Sequence, residues 1–159
     1  MKRCILGILM IALILSLSGC SEPAETDCPF YYLRTEETIC YGKPDALVAP
    51  VNREISVADH TLEYLLQLYL EGPVEEGYLN PIPRGTYLLK AFWEDDILVL
   101  ILSREFSALE DMSLTLAGAC LSATCHDLTG SRKIQVRSGE QIYDFDLNHY
   151  TFLDMSTGE

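Results

Sequence analysis

The chain has 159 residues, of which 48% are hydrophobic, and carries a formal net charge of −13 at pH 7. This length fits one ordinary domain with a core of its own. So acidic a chain is unsuited to nucleic acid, anionic lipid head groups or anionic wall polymers, because all three would repel it.

The N-terminal segment has the layout of a bacterial export signal. Two basic residues, Lys2 and Arg3, precede an apolar run from Cys4 to Leu15. The run has 12 residues, whereas a membrane-spanning helix needs roughly 20. It is therefore too short for a permanent membrane span and is typical of the hydrophobic core of a signal peptide.

Residues 17–20 read Leu-Ser-Gly-Cys, which resembles the lipobox of bacterial lipoproteins. Small residues before the cysteine let an extended strand enter a peptidase cleft, and the thiol accepts diacylglycerol. We therefore predict a signal peptide at residues 1–19, a lipid on Cys20 and a location on the extracytoplasmic face of the cell membrane. The alternative is an ordinary signal peptide followed by a chance cysteine. Residues 20–28 are short, polar and acidic, which predicts a tether.

Cleavage before Cys20 would leave 140 residues and a net charge of −15, since it removes two of the 11 basic residues and none of the 24 acidic ones. Such a domain is expected to stand off the membrane surface. Four cysteines follow the lipobox, and export permits disulfides. A bridge between Cys120 and Cys125 is disfavoured, because five residues of helical rise separate them by about 7.5 Å. A Cys28–Cys40 bridge and four unpaired thiols both stay open at this point.

The first half of the domain predicts a hairpin and a helix. Residues 30–34 and 46–55 are rich in strand-forming side chains and flank a polar loop. The leucines and tyrosine between Leu62 and Leu70 then recur with the period of a helix that has one apolar face. We expect Ser56 or Asp59 to cap its start and Gly72 to end it.

The second half predicts two more hairpins around a second helix. Residues 86–93 and 97–102 flank an acidic turn, and the second of these strands is apolar throughout, which places it centrally in a sheet. A helix at about 112–127 would bury a stripe that includes Cys120 and Cys125. A hairpin at 134–145 follows, and residues 146–159 predict a polar tail that frays. The order ββαββαββ predicts an α+β fold, an antiparallel sheet of hairpins with two helices on one face.

Several short segments together resemble the GerMN domain family, found in sporulation and spore germination proteins and in several bacterial lipoproteins. The segments are Leu-Glu-Gly-Pro at 70–73, Ile-Pro-Arg-Gly-Thr at 82–86, Leu-Ser-Arg-Glu-Phe at 102–106 and Val-Arg-Ser-Gly at 136–139. A fifth segment, the strand at 47–55 with Arg-Glu-Ile at 53–55, is similar to the family's second strand. The resemblance covers about residues 29–145, enough for a single copy of the domain. It implies a noncatalytic, extracytoplasmic module without a cofactor, which binds envelope protein partners in sporulation or spore germination.

The sequence itself also favours a noncatalytic role. His60, His126 and His149 are scattered, Ser103 lacks a nucleophile elbow, and no Cys-x-x-Cys pair or other spacing predicts a metal site. One alternative is a lipoprotein that binds a small ligand or wall glycan on aromatic rings. The candidate rings are Tyr31, Tyr32, Tyr69, Tyr78 and Trp93. The other alternative is an enzyme of an unrecognised type.

Overall fold

The computed structural model describes residues 25–35, 47–56 and 60–150. These ranges hold seven strands and two α-helices. In chain order they are β1 (Glu25–Arg34), β2 (Val48–Ser56), α1 (Leu62–Glu71), β3 (Tyr78–Leu79), β4 (Leu88–Glu94), β5 (Ile97–Leu102), α2 (Asp111–Thr129), β6 (Lys133–Ser138) and β7 (Gln141–Asp146). Two short 3-10 helices lie at Arg104–Ala108 and Leu147–His149. The predicted α+β class is confirmed.

The strands form two sheets. The first has the order β2-β1-β3 and the second the order β4-β5-β6-β7. The three predicted hairpins are present as antiparallel pairs, and β5 is central in its sheet as expected. The prediction of one antiparallel sheet was wrong in two respects, since there are two sheets and β5 pairs with β6 in parallel. The parallel pairing arises because α2 connects the two strands as a crossover, whereas a tight turn would make them antiparallel.

Helix α1 begins and ends with clear local signals. Thr61 caps its start, and the Thr61 hydroxyl accepts a hydrogen bond of 3.3 Å from the backbone N–H of Tyr64. The predicted cap at Ser56 is wrong, because that residue is held in β2 by its pairing with Glu25. The other predicted cap, Asp59, lies outside the described residues. Gly72 ends the helix, as expected.

Helix α2 is buried on every side over its central nine residues, 117–125. The predicted stripe was too narrow, because the helix packs against both sheets. On one side, the backbone N–H of Tyr31 in β1 donates a 2.9 Å hydrogen bond to the Thr124 hydroxyl. On the other side, Gly118 lies directly against the ring of Phe145 in β7. Alanine, glycine, serine and cysteine predominate in this stretch, so both sheets can approach the helix closely.

The ordered domain is longer at both ends than the sequence predicted. Strand β1 begins at Glu25, so residues 25–28, which we predicted as tether, belong to the first sheet and pair with β2. At the other end, the 3-10 helix at Leu147–His149 is followed by Tyr150, which packs against the core. These residues were predicted to fray, but their contacts with α2 make them part of the fold. Residues 151–159 lie outside the described ranges.

The two cysteines on which the sequence predictions depend, Cys20 and Cys40, also lie outside the described residues. The lipid anchor and the Cys28–Cys40 bridge therefore stay predictions. Cys120 and Cys125 are fully buried in the core, and burial raises the pKa of each thiol to about 12. None of the helices in the described part of the chain combines the length and apolar content needed to cross a membrane.

Candidate functional site

Four of the five segments that carry the family resemblance converge on one surface, and the fifth, at 47–55, lies along β2 and does not line it. Two adjoining hollows there share Tyr87 as a common wall, and we call them together the motif groove. The first hollow, of about 600 Å³, lies between the end of α1, β3 and the loop that leads to β4. The second, of about 630 Å³, lies among β4, the end of β5 and the turn after β6. The lining includes residues of each of these four segments, within 70–73, 82–86, 102–105 and 137–139.

Asn80 and Gly72 build the wall of the first hollow. The Asn80 amide donates a 3.0 Å hydrogen bond to the carbonyl of Leu70, and its oxygen accepts one of 3.0 Å from the N–H of Ile82. Gly72 has φ +98°, and a Cβ there would lie 3.3 Å from the Asn80 amide nitrogen. Gly72 therefore lets the chain turn sharply at the end of α1, and it lets the loop that contains Asn80 approach the backbone closely.

Ser103 ties together the strands that border the second hollow. Its N–H donates to the carbonyl of Tyr87 at 3.0 Å, and its hydroxyl oxygen accepts from the N–H of Tyr87 at 3.1 Å. The Ser138 hydroxyl in turn donates to the Ser103 carbonyl at 2.8 Å. The hydrogen bond from the Ser103 hydroxyl also lowers the pKa of Glu105. Because Ser103 is buried in this network, its hydrogen bonds hold neighbouring segments together, and its hydroxyl is not exposed as a nucleophile would be.

The groove exposes large apolar side chains to solvent. Leu79 is 56%, Tyr87 50% and Leu89 58% exposed, and all three line the groove. Exposed apolar groups that gather along a concave surface are typical of an interaction site. Tyrosine in particular supplies a large contact area with a polar tip.

Arginines border these apolar groups. Arg84 and Arg104 are exposed, the side chain of Arg104 by 89%, and its contact with Glu105 is 3.8 Å long. Arg137 is more constrained, because its Nη2 donates to Glu94 at 2.6 Å and its Nε to Gln135 at 2.7 Å. The groove lining thus holds three arginines, Arg84, Arg104 and Arg137, against two carboxylates, Glu71 and Glu105. When Glu94, the partner of Arg137, is included, the positive and negative groups are equal in number, so the groove is far less acidic than the chain as a whole.

The residues that sequence reasoning weighed as catalytic do not form one site. His126 lies in the last turn of α2 and His149 in the final 3-10 helix. His60 lies before α1, where its Nε2 is 3.5 Å from the thiol of Cys28. Across the described ranges, no group of three or more histidine, cysteine, aspartate or glutamate side chains is placed to hold a metal ion.

The aromatic residues considered for glycan binding are also dispersed. Tyr32 and Tyr69 are buried and stacked on each other, with ring centroids 5.2 Å apart. The Tyr31 hydroxyl donates to Asp127 at 2.9 Å, whereas Tyr78 lines the groove and Trp93 lies outside it. Two of the five rings are therefore core residues, and the set provides no common platform for a sugar.

Three residues that make the groove distinctive, Tyr87, Leu89 and Arg104, were not among the candidate site residues predicted from the sequence. Tyr87 and Leu89 looked like ordinary strand residues of the second hairpin. The signal that could have found them is their position next to motif segments, Tyr87 directly after Thr86 and Arg104 inside Leu-Ser-Arg-Glu-Phe. Their exposure depends on packing between distant segments, which sequence periodicity does not report.

Comparisons with known proteins agree with this architecture. A family model described as Germane, sporulation and spore germination, matches residues 29–143. The structure is similar to the tandem GerMN domains of the sporulation protein GerM from Bacillus subtilis, with a TM-score of 0.56 and 16% identity over 78% of this chain and 43% of that one. It is also similar to the first GerMN domain of that protein alone, with a TM-score of 0.53 and 14% identity over 74% of this chain and 86% of that one.

The two structural likenesses show the fold, and this chain spans less than half of the tandem structure. Among curated proteins, none matches the chain. The family match alone extends over more than half of the residues and nearly the whole described domain. This chain belongs to the Germane family of sporulation and spore germination domains.

Proposed function

We propose that this chain is a noncatalytic lipoprotein, held by lipid on Cys20 at the extracytoplasmic face of the membrane, that binds an envelope protein through the motif groove. The process would be sporulation or spore germination, as the family description suggests. The observation that carries the proposal is the convergence of four of the five motif segments on a groove with exposed apolar side chains. The lipobox-like residues 17–20 support the anchor.

The groove favours a partner segment that carries an apolar side chain beside a carboxylate. Tyr87 and Leu89 offer the apolar contact, and the exposed guanidinium groups of Arg84 and Arg104 flank it. Tyrosine and arginine are enriched among the residues that dominate binding energy at interfaces. A carboxylate of the partner would be repelled by most of this chain and least at the groove, beside Arg84 and Arg104, which favours one orientation of docking.

Site-specific photocrosslinking in intact membranes tests the binding site. A photoreactive phenylalanine analogue at position 87 should capture a protein, whereas the same analogue at Tyr64 should not. Tyr64 is a matched control, because it is 45% exposed and lies outside the groove. Arg104→Glu should reduce the yield at position 87 about tenfold, which corresponds to about 1.4 kcal/mol at a binding hot spot. Equal capture from both positions, or capture from neither, would contradict the proposal.

The anchor is tested separately by Cys20→Ala. Without the thiol, no diacylglycerol can be attached, so the variant should lose incorporation of labelled fatty acid and should no longer fractionate with membranes as a processed protein. A variant that stayed membrane-bound and lipid-labelled would show that the anchor has been wrongly assigned.

A further inference from the structure

Strand β3 is an edge strand that borders the first hollow of the motif groove. Within the described part of the chain its one neighbouring strand is β1, with Leu79 opposite Leu33 and Tyr78 opposite Arg34. Both residues of β3 line the first hollow, together with the end of α1 and the loop before β4. Because the lining includes β3 but not β1, the hollow lies on the side of β3 that faces away from its neighbour.

One hydrogen bond fixes which peptide groups of β3 point outward. The N–H of Thr35, directly after β1, donates to the carbonyl of Gly77 at 2.9 Å, so Gly77 faces β1. Peptide groups alternate in direction along a strand, so Leu79 also faces β1, whereas the N–H and C=O of Tyr78 point away from it. Neither of these two groups of Tyr78 has a hydrogen-bond partner among the described residues.

Strand β4, on the other side of the hollow, does not offer a comparable edge there. The N–H of Leu88, the first residue of β4, already donates to the side-chain oxygen of Gln67 in α1 at 3.0 Å. The register of β4 then shifts between Leu88 and Lys90, and a bulge of this kind commonly ends strand pairing at a sheet edge. The open peptide group beside the hollow is therefore that of Tyr78.

This open group limits what kind of segment can fill the hollow. A partner that covered Tyr78 without bonding to it would leave a buried N–H and C=O unsatisfied, which costs free energy. A helix uses its backbone groups for its own hydrogen bonds, whereas an extended segment has them free. The exposed side chains of Leu79 and Tyr87 offer apolar contacts beside Tyr78, and Arg84 offers a cation.

We propose that the occupant of the first hollow is an extended segment of the envelope protein, which adds to β3 as a fourth strand of the first sheet. The segment exchanges hydrogen bonds with the N–H and C=O of Tyr78, and every second side chain points into the hollow. Because β3 has only two residues and short edge strands resist indiscriminate pairing, side chains supply the specificity. They are an apolar group against Tyr87 and a carboxylate beside Arg84. The inference rests on the proposed function, since it concerns the same groove.

Proline at position 78 tests strand addition in the full chain in intact membranes, with the photoreactive analogue at position 87 as the reporter. Tyr78→Pro removes the outward N–H and puts a ring where the partner backbone would lie, but it removes no hydrogen bond to β1. Tyr78→Val loses the aromatic side chain and keeps the N–H. Capture from position 87 should fall several-fold further in Tyr78→Pro than in Tyr78→Val.

Asn52→Pro is the matched control, because it alters the opposite edge of the same sheet. The N–H of Arg34 donates to the carbonyl of Leu47 at 2.8 Å, so every second residue from Leu47 onward faces β1 and Asn52 faces outward. Asn52 is exposed and does not line the groove. This variant should capture the partner as well as the parent does.

Hydrogen exchange provides a second measurement that needs no substitution at position 78. In the captured complex, the amide of Tyr78 should exchange several-fold more slowly than in the free chain, whereas that of Asn52 should be unchanged. If melting curves show that Tyr78→Pro has lost its fold, the exchange rate decides alone.

The outcomes separate this inference from the proposed function. Equal capture by Tyr78→Pro and Tyr78→Val in folded proteins, or an unchanged exchange rate at Tyr78, would overturn strand addition and leave the groove as a binding site. Absence of capture from position 87 in the chain without further substitutions would overturn both. Selective loss in Tyr78→Pro together with slower exchange at Tyr78 supports both.

Discussion

Gly118 provides a sharp test of how closely α2 is packed. In an exposed helix, glycine to alanine would stabilise by about 1 kcal/mol, because alanine has the higher helix propensity. Here a Cβ would lie 2.5 Å from Cδ1 of Phe145 and 2.7 Å from the hydroxyl oxygen of Tyr150. The Phe145 ring is itself buried and stacked on Tyr143, so it has little room to move. Overpacking costs typically about 1–3 kcal/mol. After the gain in helix propensity is subtracted, we expect Gly118→Ala to lower the free energy of unfolding by up to about 2 kcal/mol.

Urea denaturation of the chain lacking residues 1–20, followed by circular dichroism, measures this change. Phe145→Leu supplies the control, because it removes the ring that the new methyl group would meet. The double variant should lose less stability than the two single variants predict by addition, which is the signature of a direct contact. If Gly118→Ala is at least as stable as the parent and shows no coupling to position 145, the packing argument is wrong.

Three further predictions concern the core and the walls of the groove. Burial raises the pKa of Cys120 and Cys125 from the ordinary 9.0 to about 12. The stability that their neutral thiols provide is therefore present below pH 9 and lost as the pH rises from about 9 towards 12. The urea midpoint of unfolding should fall across this range, and it should fall less steeply in a variant with alanine at both positions. Asn80→Ala removes two hydrogen bonds to backbone groups that are partly buried, and should cost about 1–3 kcal/mol in the same denaturation assay, whereas an unchanged midpoint would show that the loop holds its shape without it. Ser103→Ala removes the hydrogen bond that lowers the pKa of Glu105, so an NMR titration should show that pKa rising towards the usual value for glutamate, and no rise would assign the shift to another group.

The local elements could be predicted from the sequence because their patterns are local. The helical period between Leu62 and Leu70 and the apolar run from Ile97 to Leu102 each identify an element and its buried faces. The N-cap was missed because serine is the better cap by type, and only the pairing of Ser56 in β2 leaves Thr61 as the cap. Strand β3 was missed because two residues in a proline-rich loop are too few to show alternation.

The arrangement of the elements could not be predicted in the same way. Alternation shows that a strand has an apolar face but does not show which helix covers it, so the division into two sheets and the full burial of α2 depend on contacts between distant residues. The same holds for the groove. The motif segments were found by resemblance, but Leu70 and Arg137 meet on one surface only after the fold brings α1 to the end of the second sheet.

The hydrogen bond between Tyr31 and Thr124 joins residues 93 positions apart, and it has a consequence for the order of folding. During synthesis, β1 is made first, but helix α2, which covers the edge of β1 at Tyr31, is made only after β5. Closing the loop between Tyr31 and Thr124 costs conformational entropy, which is lost before the contacts of α2 with β1 can form. A chain interrupted before α2 would leave part of the β1 edge exposed and able to pair with strands of other chains. Truncation before α2 is therefore expected to promote aggregation of the remaining chain.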